Sequence, residues 1–264
     1  MKKAWQLPIF LLVFLLGLSS AHSAESNIAV PILVYHRMGP VVVDSMTVKT
    51  SDFASLLEYL RTNDYKVIPL RQLVSYLAGD GPAPPARAVV ITADDGHESV
   101  YTEMFPLIRR YHVPVTLFIY PSAISNASYA MTWPQLREMQ DSGLVDIESH
   151  TYWHPNFNKE KIRLEKSDYQ KFVTMQLAKS KITLEQKLDK HVDMLAWPFG
   201  IYDDELIEYA RSQGYIAGFT LQRRPAERTD NPLTLPRYLM TDQVRYEKLL
   251  TEVIHANHNA KSKP

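Results

Sequence analysis

Apolar segments of two kinds alternate along most of the chain. Short runs rich in β-branched residues have the length of buried strands, whereas longer segments repeat their apolar residues every three or four positions, as amphipathic helices do. The predicted strands occupy residues 31–36, 65–69, 89–93, 113–120, 144–147, 194–197 and 216–221, with a last short one from 235. The predicted helices occupy residues 50–60, 70–77, 100–111, 133–142, 159–188 (as one helix or two), 203–213 and 245–255, before a polar tail. This alternation predicts an α/β fold with a mainly parallel sheet, which can close into a barrel.

The first 24 residues follow a different pattern. A short basic start precedes an almost unbroken apolar run over 7–18, and small residues then allow cleavage after Ala21 or Ala24. This layout is typical of a secretory signal peptide, and the apolar run is short for a membrane span. The sequence therefore predicts a signal peptide at 1–24 and one exported domain at 25–264, periplasmic or secreted and without an integral membrane segment. An uncleaved membrane anchor is the alternative.

Composition narrows the chemistry that the chain can carry out. The 29 basic and 29 acidic side chains balance, so no bulk charge attracts nucleic acid, and none is expected as a partner. The chain has no cysteine, which excludes disulfides and thiolate chemistry. Histidine, aspartate and glutamate are therefore the strong metal ligands that remain.

Polar residues stand where several predicted strands end. His36 ends the first strand. Asp94 and Asp95 end the third, and His150 follows the fifth, with His154 four residues later. Taken singly, these motifs are also compatible with a surface turn or with packed histidines. Functional groups gather at the carboxyl ends of parallel strands, so we expect these side chains at one rim. A helix-like turn would place both later histidines on one side, and two histidines with one carboxylate form an open metal site.

Three separated motifs then give a family resemblance. TADDG at 92–96, SHTYWH at 149–154 and WPFG at 197–200 resemble, in this order, the motifs of the polysaccharide deacetylase family, also called the NodB-homology domain or carbohydrate esterase family 4. PILVYH at 31–36 resembles the branch that deacetylates poly-N-acetylglucosamine in biofilm matrices, in which the motif of the acid histidine lies at the N-terminus. The resemblance covers nearly all of 25–264 and implies a distorted (β/α) barrel of about seven parallel strands.

The resemblance also implies roles for the polar residues. Asp94 would be the general base and His36 the acid that protonates the departing sugar amine. Asp95, His150 and His154 would hold a divalent metal ion, with zinc expected first and cobalt, nickel, manganese or iron as alternatives.

On the substrate side, the resemblance implies that the backbone N–H of Phe199 binds the oxyanion. Trp197, Trp153 and Tyr152 are candidates to pack on sugar rings, or else pack in the core or rim. Pro198 and Arg237 complete the predicted substrate-binding set.

Two positions depart from the family pattern. Ala93 stands where an aromatic residue usually precedes the two aspartates, and Ala196 stands where an arginine often orients the base. Arg237 is a candidate to replace that arginine, and His97 lies close enough along the chain to line the site.

The predicted function is metal-dependent hydrolysis of N-acetyl groups on an extracytoplasmic polysaccharide similar to poly-β-1,6-N-acetylglucosamine. A peptidoglycan, chitin-oligosaccharide or O-acetyl ester substrate is one alternative. A glycan-binding domain that has lost catalysis is another, suggested by the two departures. The expected partner is an N-acetylated glycan, and the sequence leaves protein partners unknown.

Overall fold

A computed structural model describes residues 28–261, with side chains through Asn257, so the predicted signal peptide lies outside the described residues. The strands are β1 (Ile32–Tyr35), β2 (Arg37–Gly39), β3 (Thr47–Lys49), β4 (Lys66–Val67), β5 (Ala88–Asp95), β6 (Val115–Ile119), β7 (Val145–Ser149), β8 (Met194–Ala196), β9 (Ala217–Phe219) and β10 (Tyr238–Leu239). The α-helices are α1 (Thr50–Thr62), α2 (Leu70–Ala78), α3 (Phe105–Tyr111), α4 (Trp133–Asp141), α5 (Phe157–Arg163), α6 (Lys166–Leu188), α7 (Asp204–Ser212) and α8 (Tyr246–Lys261). None of the helices within 28–261 is long and apolar enough to cross a membrane.

Seven strands pair side by side in the order β10-β1-β5-β6-β7-β8-β9, and β4 pairs with the start of β5. These pairs are parallel. Leu235 forms a parallel bridge with Phe219 at the end of β9, and Tyr238 and Leu239 pair with β1. The segment 235–239 therefore joins the two edges of the sheet. The predicted α/β fold with a distorted barrel of about seven parallel strands is confirmed.

Alternating strand residues divide the core into two layers, because successive side chains point to opposite faces of a sheet. Val90 belongs to an inner cluster with Ile32 and Phe118, and this cluster also contains Leu73 of α2. Ile91 belongs to an outer cluster, which packs the barrel against α1, α3, α4, α6 and α7. Helix α2 therefore fills the amino end of the barrel, and the carboxyl end is left for the site.

The structure departs from the predicted elements in a few places. The predicted helix 100–111 begins with a π-helical turn, in which Phe105 donates its N–H to the carbonyl of Val100. Pro106 has no N–H to continue an α-helical ladder there, which explains the wide turn. The last helix continues beyond 255, to Lys261.

The short strands β2 and β3 were not predicted. They pair with each other in parallel and flank a loop that follows His36. Each is only three residues long, which is too short to show a periodic pattern.

Candidate active site

The predicted strand ends meet at one rim of the barrel. Asp94 and Asp95 are the last residues of β5, and His150 directly follows β7. The Nε2 atom of His150 lies 3.5 Å from Oδ1 of Asp95 and 3.9 Å from Oδ2 of Asp94. His154 Nε2 lies 3.6 Å from the same Asp95 oxygen. Residues that are far apart in the sequence thus form one polar cluster.

Asp95, His150 and His154 have the geometry of a metal-binding group, since one ligand atom from each lies within 4.8 Å of the others. Tetrahedral ligands bound at about 2.1 Å stand about 3.4 Å apart, close to the two nitrogen–oxygen separations seen here. Oδ1 of Asp95 is buried and accepts no hydrogen bond of normal geometry. A divalent cation would satisfy this oxygen, so the three residues fit the predicted metal.

Hydrogen bonding and burial prepare the two histidines to act as ligands. Nδ1 of His150 lies 2.8 Å from the carbonyl oxygen of Ala196, so it carries the proton and donates it. This leaves a lone pair on Nε2, which faces Asp95. Burial and the neighbouring His150 lower the pKa of His154 to about 4, so its ring is neutral at pH 7.

The carboxylate of Asp95 is likewise ready to bind a cation. Its burial raises the pKa, but the close contact with His150 and the proximity of His36 and His154 together hold the pKa of Asp95 well below its usual range. The carboxylate is therefore ionised at neutral pH.

The loop that carries both histidines is not helical, contrary to the expected helix-like turn. Thr151 and His154 have φ values of 64° and 63°, in the left-handed region that few non-glycine residues adopt. The two imidazole rings still meet edge to face, with centroids 4.6 Å apart. Oε1 of Gln176, a fully buried residue of α6, accepts from the backbone N–H groups of Tyr152 and Trp153 at 3.2 and 3.1 Å.

Sequence reasoning missed Gln176. A buried glutamine on a long charged helix has no motif around it, and its partners lie 24 and 23 residues away along the chain. The only available signal was a polar residue on the apolar face of the predicted helix.

Arg237 reaches Asp94 from the segment that closes the barrel. Its Nη1 and Nη2 donate to the two carboxylate oxygens at 2.8 and 2.7 Å, and its Nε donates to the carbonyl of Thr220. Burial raises the pKa of Asp94, but the charges of Arg237 and His150 outweigh it and hold that pKa below its usual range. The arginine therefore keeps the carboxylate ionised and fixes its orientation.

The side chain of Arg237 is fully buried and has no open surface for a substrate. Its contact with Asp94 is the one expected of a residue that replaces the arginine whose usual place Ala196 occupies.

His36 lies directly after β1, on the same rim. Its Nδ1 atom is buried without a hydrogen-bond partner among the described residues. Burial lowers the pKa of His36, although the charges of Asp94 and Asp95 oppose this shift. The ring is thus within electrostatic reach of both aspartates.

The predicted aromatic residues divide into buried and exposed ones. Trp197 is fully buried, packs edge-on against Phe157 and donates its indole N–H to the carbonyl of Leu233 at 2.8 Å. Pro198 is buried as well. Burial leaves neither side chain a free face for a sugar ring. Trp197 lies in the outer cluster, on the same side of the sheet as Leu195. Trp197 thus packs in the core, which is the alternative given for it from the sequence.

Phe199, Trp153 and Tyr152 lie at the surface of the rim. Phe199 and Trp153 are 56% and 48% exposed, and Tyr152 is partly exposed. The ring of Phe199 meets that of His154 edge to face at 4.6 Å. Its φ of 56° places this residue in a left-handed turn directly beside the metal-binding group. These three side chains are placed to contact a ligand that reaches the cluster.

Comparison with known proteins agrees with this geometry. The family model for polysaccharide deacetylases matches residues 81–218, which is more than half of the 264-residue chain. The chain belongs to the polysaccharide deacetylase family. The predicted family and the predicted enzyme class, a hydrolase that removes N-acetyl groups, are confirmed.

Individual relatives are similar over most of the chain. The poly-β-1,6-N-acetyl-D-glucosamine N-deacetylase of Staphylococcus epidermidis is 27% identical over 218 residues, which cover 81% of this chain and 74% of that protein. The structure of IcaB from Ammonifex degensii superimposes with a TM-score of 0.73 at 25% identity, covering 87% of this chain and 97% of the other. The Streptococcus pyogenes deacetylase PplD, solved with acetate, gives 0.76 at 21% identity, covering 85% and 98%, and supports the fold.

The matched region of this polysaccharide deacetylase contains most of the cluster but not all of it. Asp94, Asp95, His150 and His154 lie within 81–218. His36 precedes this region, so the fold brings it to the rim from outside the matched segment.

Proposed function

We propose that this deacetylase hydrolyses N-acetyl groups of a polysaccharide similar to poly-β-1,6-N-acetylglucosamine, in a metal-dependent reaction outside the cytoplasm. The observation that carries the proposal is the convergence of Asp95, His150 and His154 beside Asp94, whose carboxylate Arg237 holds. The named activity of the Staphylococcus epidermidis relative supports the choice of glycan.

Asp95, His150 and His154 would hold the metal ion. Their donor set suits zinc, with cobalt, nickel, manganese or iron as alternatives. When bound, such an ion polarises the acetyl carbonyl and lowers the pKa of a coordinated water molecule. The hydrogen bond between His150 and the Ala196 carbonyl and the burial of His154 keep both ring nitrogens available for this role.

Asp94 is the proposed general base. It takes the proton of the water molecule that attacks the acetyl carbon, and its low pKa keeps it ionised and ready to accept. Arg237 donates hydrogen bonds to both oxygens of Asp94, so its role is to orient this carboxylate.

The remaining steps fall to other residues at the same rim. His36 donates a proton to the departing sugar amine. The backbone N–H of Phe199 stabilises the oxyanion, and the exposed rings of Tyr152 and Trp153 contact the sugar.

The N-terminal segment supports a location outside the cytoplasm. Residues 1–24 have the basic, apolar and small-residue order of a signal peptide. Export would bring the enzyme to a polysaccharide outside the cytoplasm.

Acetate release by the chain from residue 25 onward tests the proposal. The substrates are β-1,6- and β-1,4-linked N-acetylglucosamine oligomers, each with added metal ion and with chelator. Metal-dependent release that favours the β-1,6 linkage is the expected result, whereas preference for β-1,4 would point to chitin or cell-wall substrates. Oligomer binding without any release would favour a glycan-binding domain.

An Asp94→Asn variant tests the base. Its turnover should fall by about 10²- to 10⁴-fold, while metal binding, measured by titration, is retained. Asp141→Asn, at an exposed position at the end of α4, is the matched control. Turnover that survives in Asp94→Asn would assign the base to another residue.

A further inference from the structure

A second surface adjoins the metal-binding group at Asp95. A cleft of about 330 Å³ is lined by Arg37, Asp95, His97, Tyr120 and Tyr129. Ligand sites span about 300–1,000 Å³, so this volume suits a single small unit. Because Asp95 belongs to both the cleft and the metal-binding group, an occupant of the cleft lies beside the reacting acetamide.

The cleft is continuous with the catalytic cluster through Tyr120. The hydroxyl groups of Tyr120 and Tyr129 are 2.7 Å apart. The ring of Tyr120 also packs against that of His154, with centroids separated by 5.5 Å. A chain of side-chain contacts therefore connects the outer wall of the cleft with a metal ligand.

The outer wall is held in place by backbone and side-chain contacts. His97 forms an antiparallel bridge with Ala130, and Glu98 donates its N–H to the carbonyl of Tyr129 at 2.8 Å. The rings of His97 and Tyr129 stack with an interplanar angle of 17° and a centroid distance of 6.1 Å. Tyr129 nevertheless stays 43% exposed, so an ordered aromatic surface faces solvent.

The chemistry of this wall suits an uncharged sugar. An exposed aromatic ring offers a flat apolar surface, and the tyrosine hydroxyls and the Arg37 guanidinium offer hydrogen bonds to sugar hydroxyls or to an amide oxygen. Arg37 carries a positive charge at the cleft, and Asp44, its ion-pair partner, lies outside the lining. Asp95 also lines the cleft, but the divalent cation that it would hold compensates its negative charge. With that cation bound, a free ammonium group on the occupant would be repelled.

We propose that this cleft binds an uncharged sugar unit of the glycan, next in the chain to the unit whose acetyl group is removed. The proposal rests on the proposed function for the identity of the chain that it binds. It assigns Tyr129 and His97 as the wall of the subsite and Arg37 as the residue that disfavours a neighbour already carrying a free amine.

The test compares a long substrate with one too small to reach the cleft. KM and kcat are measured for Tyr129→Ala with a β-1,6-linked N-acetylglucosamine pentamer and with a small chromogenic acetate ester. The expected result is a rise of about three- to tenfold in KM for the pentamer, clearly larger than any change for the ester. Tyr129→Phe keeps the ring and should show a smaller effect, and Ile216→Ala, an exposed site at the amino end of β9, is the control.

Two further measurements separate this proposal from the proposed function. Binding of the pentamer to Asp94→Asn protein is measured without turnover, with and without Tyr129→Ala. Weaker binding in the double variant supports the subsite even if the wild-type enzyme releases no acetate from this glycan. An equal rise in KM for pentamer and ester in Tyr129→Ala would overturn the proposed subsite. Pentamer binding that Tyr129→Ala leaves unchanged would overturn it as well, and neither result would contradict the proposed hydrolase function.

The role of Arg37 is tested by comparing the binding of acetylated and deacetylated pentamers. Asp94→Asn protein should bind the fully acetylated pentamer more tightly than its fully deacetylated form, and Arg37→Met should narrow that difference. An unchanged ratio in Arg37→Met would remove Arg37 from the proposal.

Discussion

The inside of the barrel contains one arginine–carboxylate arrangement at each end, and the two differ in ways that reflect their roles. At the carboxyl end, Arg237 and Asp94 are 0% and 2% exposed and pair one to one. At the amino end, the side chain of Arg71 is 44% exposed and is shared between Glu148 at 3.0 Å and Asp193 at 2.8 Å. A fully desolvated pair is costly to maintain, and here it lies against an open site.

The remaining partners of the two carboxylates sharpen this contrast. Glu148 also accepts from Lys190 at 2.8 Å and from the N–H groups of Asp193 and Met194 at 3.0 and 2.9 Å. Asp94 has both of its oxygens on Arg237. Glu148 thus has several donors that stabilise the amino end of the barrel, whereas at the carboxyl end one arginine orients the proposed base.

The largest effect is expected for Arg237→Met. This change leaves Asp94 buried without its partner, so the free energy of unfolding should fall by about 3–5 kcal/mol. Because Asp94 also loses its orientation, kcat for acetate release should fall by about 100-fold or more. Denaturant unfolding and steady-state kinetics measure the two effects.

Two companion variants check that interpretation. Arg237→Lys keeps the charge without the two-pronged geometry and should fall between the wild type and Arg237→Met in kcat. Adding Asp94→Asn to Arg237→Met should recover part of the lost stability, because no unpaired charge is left. Stability that does not recover would mean that the arginine acts mainly through its packing.

A smaller effect is expected for Gln176→Met. This variant tests the hydrogen bonds that hold the loop between His150 and His154 at the carboxyl end of the barrel. The variant keeps the side-chain volume but removes the acceptor for the N–H groups of Tyr152 and Trp153. The loop between His150 and His154 should lose its fixed geometry, and metal affinity should fall by about 10- to 100-fold.

Competition with a chromogenic chelator measures that affinity. Thr174→Ala is the control, since Thr174 lies on the same helix and hydrogen-bonds only within it. A loss of stability with unchanged metal affinity would show that Gln176 supports the core and not the ligands.

The smallest effect is expected for Arg71→Met at the amino end. Glu148 keeps Lys190 and two backbone donors, so the free energy of unfolding should fall by only about 1–2 kcal/mol. Values of kcat and KM should stay within about twofold of the wild type, since the reacting groups are at the other end. A kinetic loss as large as that of Arg237→Met would contradict the division of the two ends into structure and function.

Local patterns were sufficient to predict much of the fold and the central cluster. The apolar run that ends at Asp94 and Asp95 is a strand whose end is marked in the sequence itself. The same holds for β7, where the predicted strand 144–147 is followed by the polar residues Glu148, Ser149 and His150. In parallel α/β folds these ends share a rim, so the meeting of the aspartates with His150 follows from topology and needs no detailed contacts.

Only the tertiary structure shows on which face of the sheet several side chains lie and with which residues they form hydrogen bonds. A shift of one residue in strand register exchanges the two faces of a sheet, and sequence does not specify that register to one residue. The sequence therefore left open whether Trp197 contacts substrate or packs in the core, and the structure buries it in the outer layer. Arg237 finds Asp94 from 143 residues away because the segment 235–239 closes the barrel beside β1.

The sequence by itself determined the order of the main strands and helices, the family and the residues able to bind a cation. Those properties depend on periodicity and on residue type, which are local. The orientation of the base, the support of the metal-ligand loop by Gln176 and the cleft beside Asp95 depend on barrel closure. They require contacts between segments distant in the chain, and only the packed fold brings those segments together.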